Sequence, residues 1–231
     1  MRGGIGGSTF ESLRGELDAA RAGARARALT RDPYALSPSA DRPLPTGRRR
    51  AVRSVAGVWT APFPMAAFNS RIVHRSNALQ AFDYGHELDY SEALHVGGGR
   101  LGLPAAAAVA AGLGVAGALL ARPPSRRVLD RVLPTPGEAP SPEVQEAGHF
   151  GTTTYTVTGT GARYAATVAA PFDPGYGATA RMLAESALAL ALDAGLLPHR
   201  AGVLTPAAAL GPRLAERLRG AGFTLTTTRW P

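Results

Sequence analysis

The chain has 231 residues, with 25 Arg and no Lys against 17 acidic residues, a formal net charge of +8 and a pI near 10.9. A hydrophobic fraction of 45% is that of a globular chain long enough to bury a core. The absence of Cys excludes disulfides, Cys-ligated zinc, iron–sulfur clusters and a thiol nucleophile.

The charge points first to nucleic acid or an anionic membrane surface, so its location matters. Residues 21–53 hold nine Arg and two acids, whereas the rest of the chain holds 16 Arg and 15 acids. The excess is therefore local. Pro33, Pro38, Pro43 and Pro45 make residues 30–54 an Arg/Pro-rich loop. Such a loop is either solvated or a holder of phosphate or an acidic partner. Base stacking needs aromatics among the Arg, and the segment has only Tyr34, so no nucleic-acid partner is expected.

In chain order, residues 1–7 are Gly-rich and show no apolar stretch of signal-peptide length. Ser8 and Glu11 form an S-x-x-E capping box, which predicts an Ala-rich helix to about Ala28. Residues 65–80 read as helix and 87–95 as strand. Residues 101–121 are nine Ala, four Gly, five Leu, two Val and Pro104, with no charge, between Arg100 and Arg122. They are long enough to span a bilayer, but Ala and Gly supply little transfer energy. The expectation is a buried or membrane-grazing helix rather than a span.

Residues 152–158 and 163–170 are rich in β-branched residues and Tyr, and Gly159-Thr160-Gly161 between them signals a hairpin. Residues 176–194 repeat Leu183, Ala187, Leu190 and Ala194 at helical spacing, with Arg181 and Glu185 as an i,i+4 pair. Thr205-Pro206 caps a last helix with Leu210, Leu214 and Leu218 on one face, ended by Gly220 and Gly222. Phe223 to Trp230 alternates as a final strand.

Several patterns are candidates for chemistry. Gly112, Gly114 and Gly117 match G-x-G-x-x-G, but they lie inside the Ala run, without the strand and the ribose-binding acid that a dinucleotide site needs. Gly3 to Gly7, just before a helix, suit either an anion cradle or a tight turn. The five His show no ligating pair, so no metal is expected, and no G-x-S-x-G elbow anchors a hydrolase triad. Asn69, Ser70, Arg71, His74, Arg75, Ser76 and Asn77, followed by Tyr84, His86 and Tyr90, are dense in hydrogen-bonding groups. They line an anionic pocket or bridge neighbouring elements. Asp173-Pro-Gly-Tyr176-Gly177 before a helix reads as a turn or a specific site.

The phrases Gly6-Gly7-Ser8-Thr9, DPYALSP (32–38), RIVHRSNAL (71–79) with Tyr84-Gly85, PGEAPSPE (136–143), DPGYGATARMLAESALALA (173–191) and AGVLTP (201–206) run collinearly through the chain. Together the set resembles the saccharopine dehydrogenase-like oxidoreductases, in the branch of the bacterial trans-acting enoyl reductases. The resemblance implies an enzyme with a nucleotide-binding Rossmann half and a second, substrate-side region. The chain resembles only the second. Met1 falls at the start of the glycine turn, so a late start or a split gene is expected, and a chain inactive alone.

The fold implied is α+β of α/β type, with a mixed, largely antiparallel sheet packed with helices in one domain over 1–231. The reaction implied is hydride transfer from NADPH or NADH to an enoyl β-carbon of a lipid or polyketide acyl chain, with a proton to the α-carbon. The acyl group is expected on a carrier protein, the location cytoplasmic or peripheral to a membrane, and a homodimer is one candidate assembly. Tyr84 or Tyr176 is the proton donor expected. Asn69, Arg71, Arg75, Asn77 and Asp173 are the substrate-binding candidates, and Gly6, Gly7 and Thr9 the cofactor-binding ones. The alternative is a non-catalytic membrane-surface or acyl-carrier-binding module, suggested by residues 101–121 and the Arg-rich loop.

Overall fold

A computed structural model describes residues 7–38, 51–122, 124–125, 128 and 139–230. The fold is α+β, and its strands form two three-stranded antiparallel sheets. The chain divides into two compact units, residues 12–133 and residues 134–231 with 1–11.

In the unit of residues 12–133, the single helix expected to reach Ala28 is two helices, α1 (Gly7–Ala19) and α2 (Ala24–Arg31). Gly23, at φ 143°, breaks the run with a backbone that other residues rarely adopt. Helix α1 begins at Gly7, one residue before the expected cap Ser8. The sheet is β1 (Arg53–Val55), β2 (Val58–Pro62) and β3 (Ala93–Gly97). Val55 faces Val58 across a two-residue turn in which Ala56 (φ 48°) and Gly57 (φ 82°) are both left-handed, the geometry of a tight hairpin. No strand was expected there, and the expected strand 87–95 is displaced to 93–97.

Helix α3 (Ala66–Leu79) lies between β2 and β3 in sequence, within a residue of its expected bounds. Helix α4 (Gly102–Ala121) follows β3 and packs against β2 and β3. Its first residue must be small, because a Cβ on Gly102 would stand 2.6 Å from the Trp59 ring. Most of α4 is solvent-exposed, which corrects the expectation of burial. It alone among the described helices is long and apolar enough to cross a membrane.

In the other unit, a short helix α5 (Pro142–Glu146) precedes the hairpin of β4 (Phe150–Val157) and β5 (Arg163–Ala170). The hairpin is in the expected place, and Thr158 N–H donates to Ala162 O across its turn (2.9 Å). Strand β5 is central, with β6 (Thr224–Arg229) on its other side. Helix α6 (Gly177–Leu192) packs on α7 (Pro206–Gly220). Thr205 caps α7 as expected, its Oγ1 accepting from Ala208 N (3.4 Å). Gly211 and Pro212 put a kink inside α7.

The core of this unit is Ala170, Ala178, Leu218 and Phe223, with Phe150, Phe172, Met182 and Leu214 against it. Leu210 and Leu218 are buried as the spacing predicts. Helix α6 is rotated from its expected phase. Ala178 and Ala189 are buried, whereas Leu183 is 71% exposed and Leu190 59%.

Candidate functional site

The polar stretch on α3 supplies one wall of an open cleft of about 270 Å³. Ser70 and Arg71 come from α3, Thr30 and Asp32 from the end of α2, and Tyr90 and Glu92 from the segment before β3. Asn69 Nδ2 donates to Glu92 Oε2 (2.8 Å), and Tyr90 Oη donates to Glu92 Oε1 (2.6 Å). Glu92 is thus held by two donors at the cleft edge. Burial first, then the hydrogen bond and charge of Glu92, push the Tyr90 phenol well above its ordinary pKa. It stays protonated and can donate only to a strong base.

Arg71, expected to bind an anion, already has partners. Its Nη2 pairs with the Glu16 carboxylate and donates to Thr30 O (2.5 Å), and its guanidinium lies 5.6 Å from the Phe68 ring centre. These contacts tie α3 to α1 and α2. Arg75 Nη1 donates to Leu36 O (2.5 Å). Below them, His74 is buried with its ring centre 4.3 Å from that of Tyr34. Burial lowers the His74 pKa, which favours the neutral ring. Burial, then the Asp32 charge, raises that of Tyr34.

Asn77 is a clamp. It is 2% exposed; Nδ2 donates to Gly85 O (2.9 Å) and Oδ1 accepts from Tyr84 N (2.9 Å). It fixes the loop in which Ala81 (φ 55°), Phe82 (φ 63°) and Gly85 (φ 97°) take left-handed backbones. Tyr84 Oη accepts from Gln80 Nε2 (2.8 Å) on an exposed surface and does not line the cleft.

Asp173 and Tyr176 belong to the other unit. Asp173 is fully buried; its Oδ2 accepts from Tyr176 N (2.7 Å) and its carbonyl from Ala178 N (2.8 Å), so it starts α6. Its Oδ1 is buried without a hydrogen-bond partner. Gly148 sits so close that a Cβ there would be 2.4 Å from Asp173 Cα. Arg181 lies 3.8 Å over the Phe172 ring. Glu185 pairs instead with Arg217 (2.8 Å), beside Asp193, which binds Arg213 and Arg217. Spacing alone suggested an Arg181–Glu185 pair; tertiary contact draws Glu185 to α7.

Gly7 and Thr9 lie in the first turn of α1, and Gly6 lies outside the described residues. A helix's first turn can receive an anion. Gly112, Gly114 and Gly117 all lie within α4, so they form no phosphate turn. Among the described residues, no group of three acid or His ligands could hold a metal.

Glu92 and Glu16 are the site residues that the sequence reading missed. They lie 23 and 55 residues from the α3 side chains they meet, and no local spacing marks either. The sequence relatives bear on the chemistry. The chain is 46% identical over 243 residues to a candidate trans-acting enoyl reductase of Mycobacterium tuberculosis, covering 99% of the chain and 58% of the relative. The chain is similar to mycobacterial enoyl reductases. A trans-acting enoyl reductase of Mycobacterium bovis is 43% identical, covering 97% of the chain and 56% of that protein. One of Mycobacterium ulcerans is 44% identical, covering 87% and 51%. The chain thus spans little more than half the length of these relatives. No family profile matches it, and no solved structure does.

Proposed function

We propose that the protein serves in the reduction of an enoyl group on an acyl chain, and that this chain supplies its substrate side. The observation that supports this is similarity to named enoyl reductases across almost all of the chain. The type is the saccharopine dehydrogenase-like one of the resemblance, and the acyl group is presented on a carrier. The hydride of this reaction class comes from a reduced nicotinamide, NADPH or NADH, and no described residue is assigned to hold it.

The cleft beside α3 is the acyl-side site. Adding hydride at the β-carbon leaves an enolate, which needs a proton at the α-carbon. An enolate carbon is base enough to take a proton from a phenol of raised pKa. Of Tyr84, Tyr90 and Tyr176, Tyr90 alone lines the cleft, so the proton donor is Tyr90. Glu92 positions it and is itself positioned by Asn69.

Turnover of a 2,3-unsaturated acyl thioester with NADPH or NADH tests both statements. Combined with the remaining half of a relative, the full chain is expected to yield the saturated thioester; alone it is expected to yield none. Tyr90→Phe is expected to lower kcat by about a hundredfold to ten-thousandfold, the usual worth of one general acid, with KM little changed. A saturated product formed at the same rate by Tyr90→Phe would move the donor elsewhere. No reduction by the combined proteins would overturn the reaction class.

A further inference from the structure

The chain's excess charge is not shared between its two units. Residues 12–133 hold 17 Arg and nine acids, whereas the remaining residues hold eight of each. The basic unit also carries α4, 20 residues without charge that include an 18-residue stretch of mean hydropathy 2.0. Among the less exposed residues of α4, Gly102, Ala106, Ala110, Leu113, Gly117 and Leu120 form one stripe. Spacings of three and four place them on one helix face. The first of them meet β2 and β3. The other face is apolar and in solvent, with Val115 61% exposed and Leu119 40%.

A helix that lies on a membrane usually shows a charged face to water and an apolar face to lipid. Helix α4 has no charged face. Its inward side is partly covered by protein, so the protein itself takes the place of that face. A contiguous apolar surface of this kind marks a contact site rather than a solvated one. Exposed Arg100 and Arg122 bracket it, and Arg126, Arg127 and Arg131 follow in sequence with Asp130 as the only acid. Guanidinium groups pair bidentately with phosphate. Basic clusters beside an apolar segment are held by anionic lipid.

Helix α6 also exposes leucines, but it belongs to the unit without excess charge. Charge complementarity therefore singles out α4. We propose that α4 docks the protein on an anionic lipid bilayer. Its outward face enters the acyl region, and Arg100 and Arg122 at its ends meet the lipid phosphates. This is independent of the reaction proposed above.

Flotation of the full chain with vesicles tests it, using phosphatidylglycerol mixed into phosphatidylcholine against phosphatidylcholine alone. The protein is expected to float with the anionic vesicles at low salt and less so as salt is raised. Val115→Asp with Leu119→Asp, both at exposed positions, is expected to cut the floated fraction by at least about tenfold. Arg100→Glu with Arg122→Glu, outside the helix, is expected to weaken binding to anionic vesicles more than to neutral ones. No flotation at low salt would overturn the proposal, as would flotation unchanged in both double variants. A vesicle-free dimer made monomeric by the Asp pair, without flotation, would assign the face to a second copy of the chain instead.

Discussion

The two units use the same parts and hold them together differently. Each has a three-stranded antiparallel sheet and packed helices. The unit of β4–β6 has an aromatic centre, where Phe223 meets Phe150 and Phe172 at ring-centre distances of 6.3 and 5.7 Å. Its helices are joined by Asp193, Glu185, Arg213 and Arg217. The unit of β1–β3 buries more polar groups, Thr60, His74, Ser76 and Asn77, against Asp173 and Thr205 in the other. Thr60 Oγ1 donates to Arg53 O (2.9 Å), Ser76 Oγ to Ile72 O (2.8 Å), and Asn77 clamps a loop. One unit rests mainly on packed area, and the other on satisfied hydrogen bonds. Substitutions should therefore fail for different reasons in the two.

The largest effect is expected in the aromatic core. Phe223→Ala removes a ring that is 4% exposed and leaves a cavity among Phe150, Phe172 and Leu218. The loss is expected at about 3–5 kcal/mol, read as a fall in the denaturant midpoint of this unit. Unchanged stability would mean that the aromatic cluster is not what closes the unit. Next is Asn77→Ala in the other unit. It removes two hydrogen bonds and leaves the Tyr84 N–H and the Gly85 carbonyl without their partner. A cost of about 2 kcal/mol is expected. Faster amide exchange over residues 80–85 should accompany it, which a loss of packing alone would not localise there.

The same contrast explains what the sequence could reveal. Elements written in local chemistry were legible. Gly159-Thr160-Gly161 marks the β4–β5 hairpin, Thr205-Pro206 marks the start of α7, and the uncharged run marks α4. The β1–β2 hairpin was not legible, because its turn uses Ala56 in a backbone that favours Gly or Asn. Nor was the break at Gly23, one glycine in an Ala-rich run that continues on both sides. The candidate site was half legible. The density of polar groups on α3 pointed to Arg71, which lines the cleft, and to Asn69, which bonds Glu92 there, but Glu16 and Glu92 come from distant segments. Asn77 clamps a loop and Asp173 starts a helix, and groups of the same kind bind ligands.

The smallest expected effect is a change in acid response. The hydrogen bond from Arg213, the leading cause, together with Arg217 holds the Asp193 carboxyl below its ordinary pKa. The unfolded chain then binds this proton at a higher pH than the folded one does. The contribution of the pair is complete above the ordinary carboxylate range and is lost as pH falls through the depressed folded value. Arg213→Ala returns that value toward the ordinary one. The stability gap between the two proteins is expected to be full at neutral pH and to close as acid protonates Asp193. Phe223→Ala carries no titrating group, so its gap should stay constant over the same range. His74 adds a separate acid loss in the other unit. Burial lowers its pKa, so the unfolded chain takes up that proton first, and stability begins to fall as pH drops through the ordinary histidine range. Denaturant midpoints against pH for the three proteins separate these cases. A gap for Arg213→Ala that persists in acid would show that the arginine acts by packing its stem and not through the carboxylate.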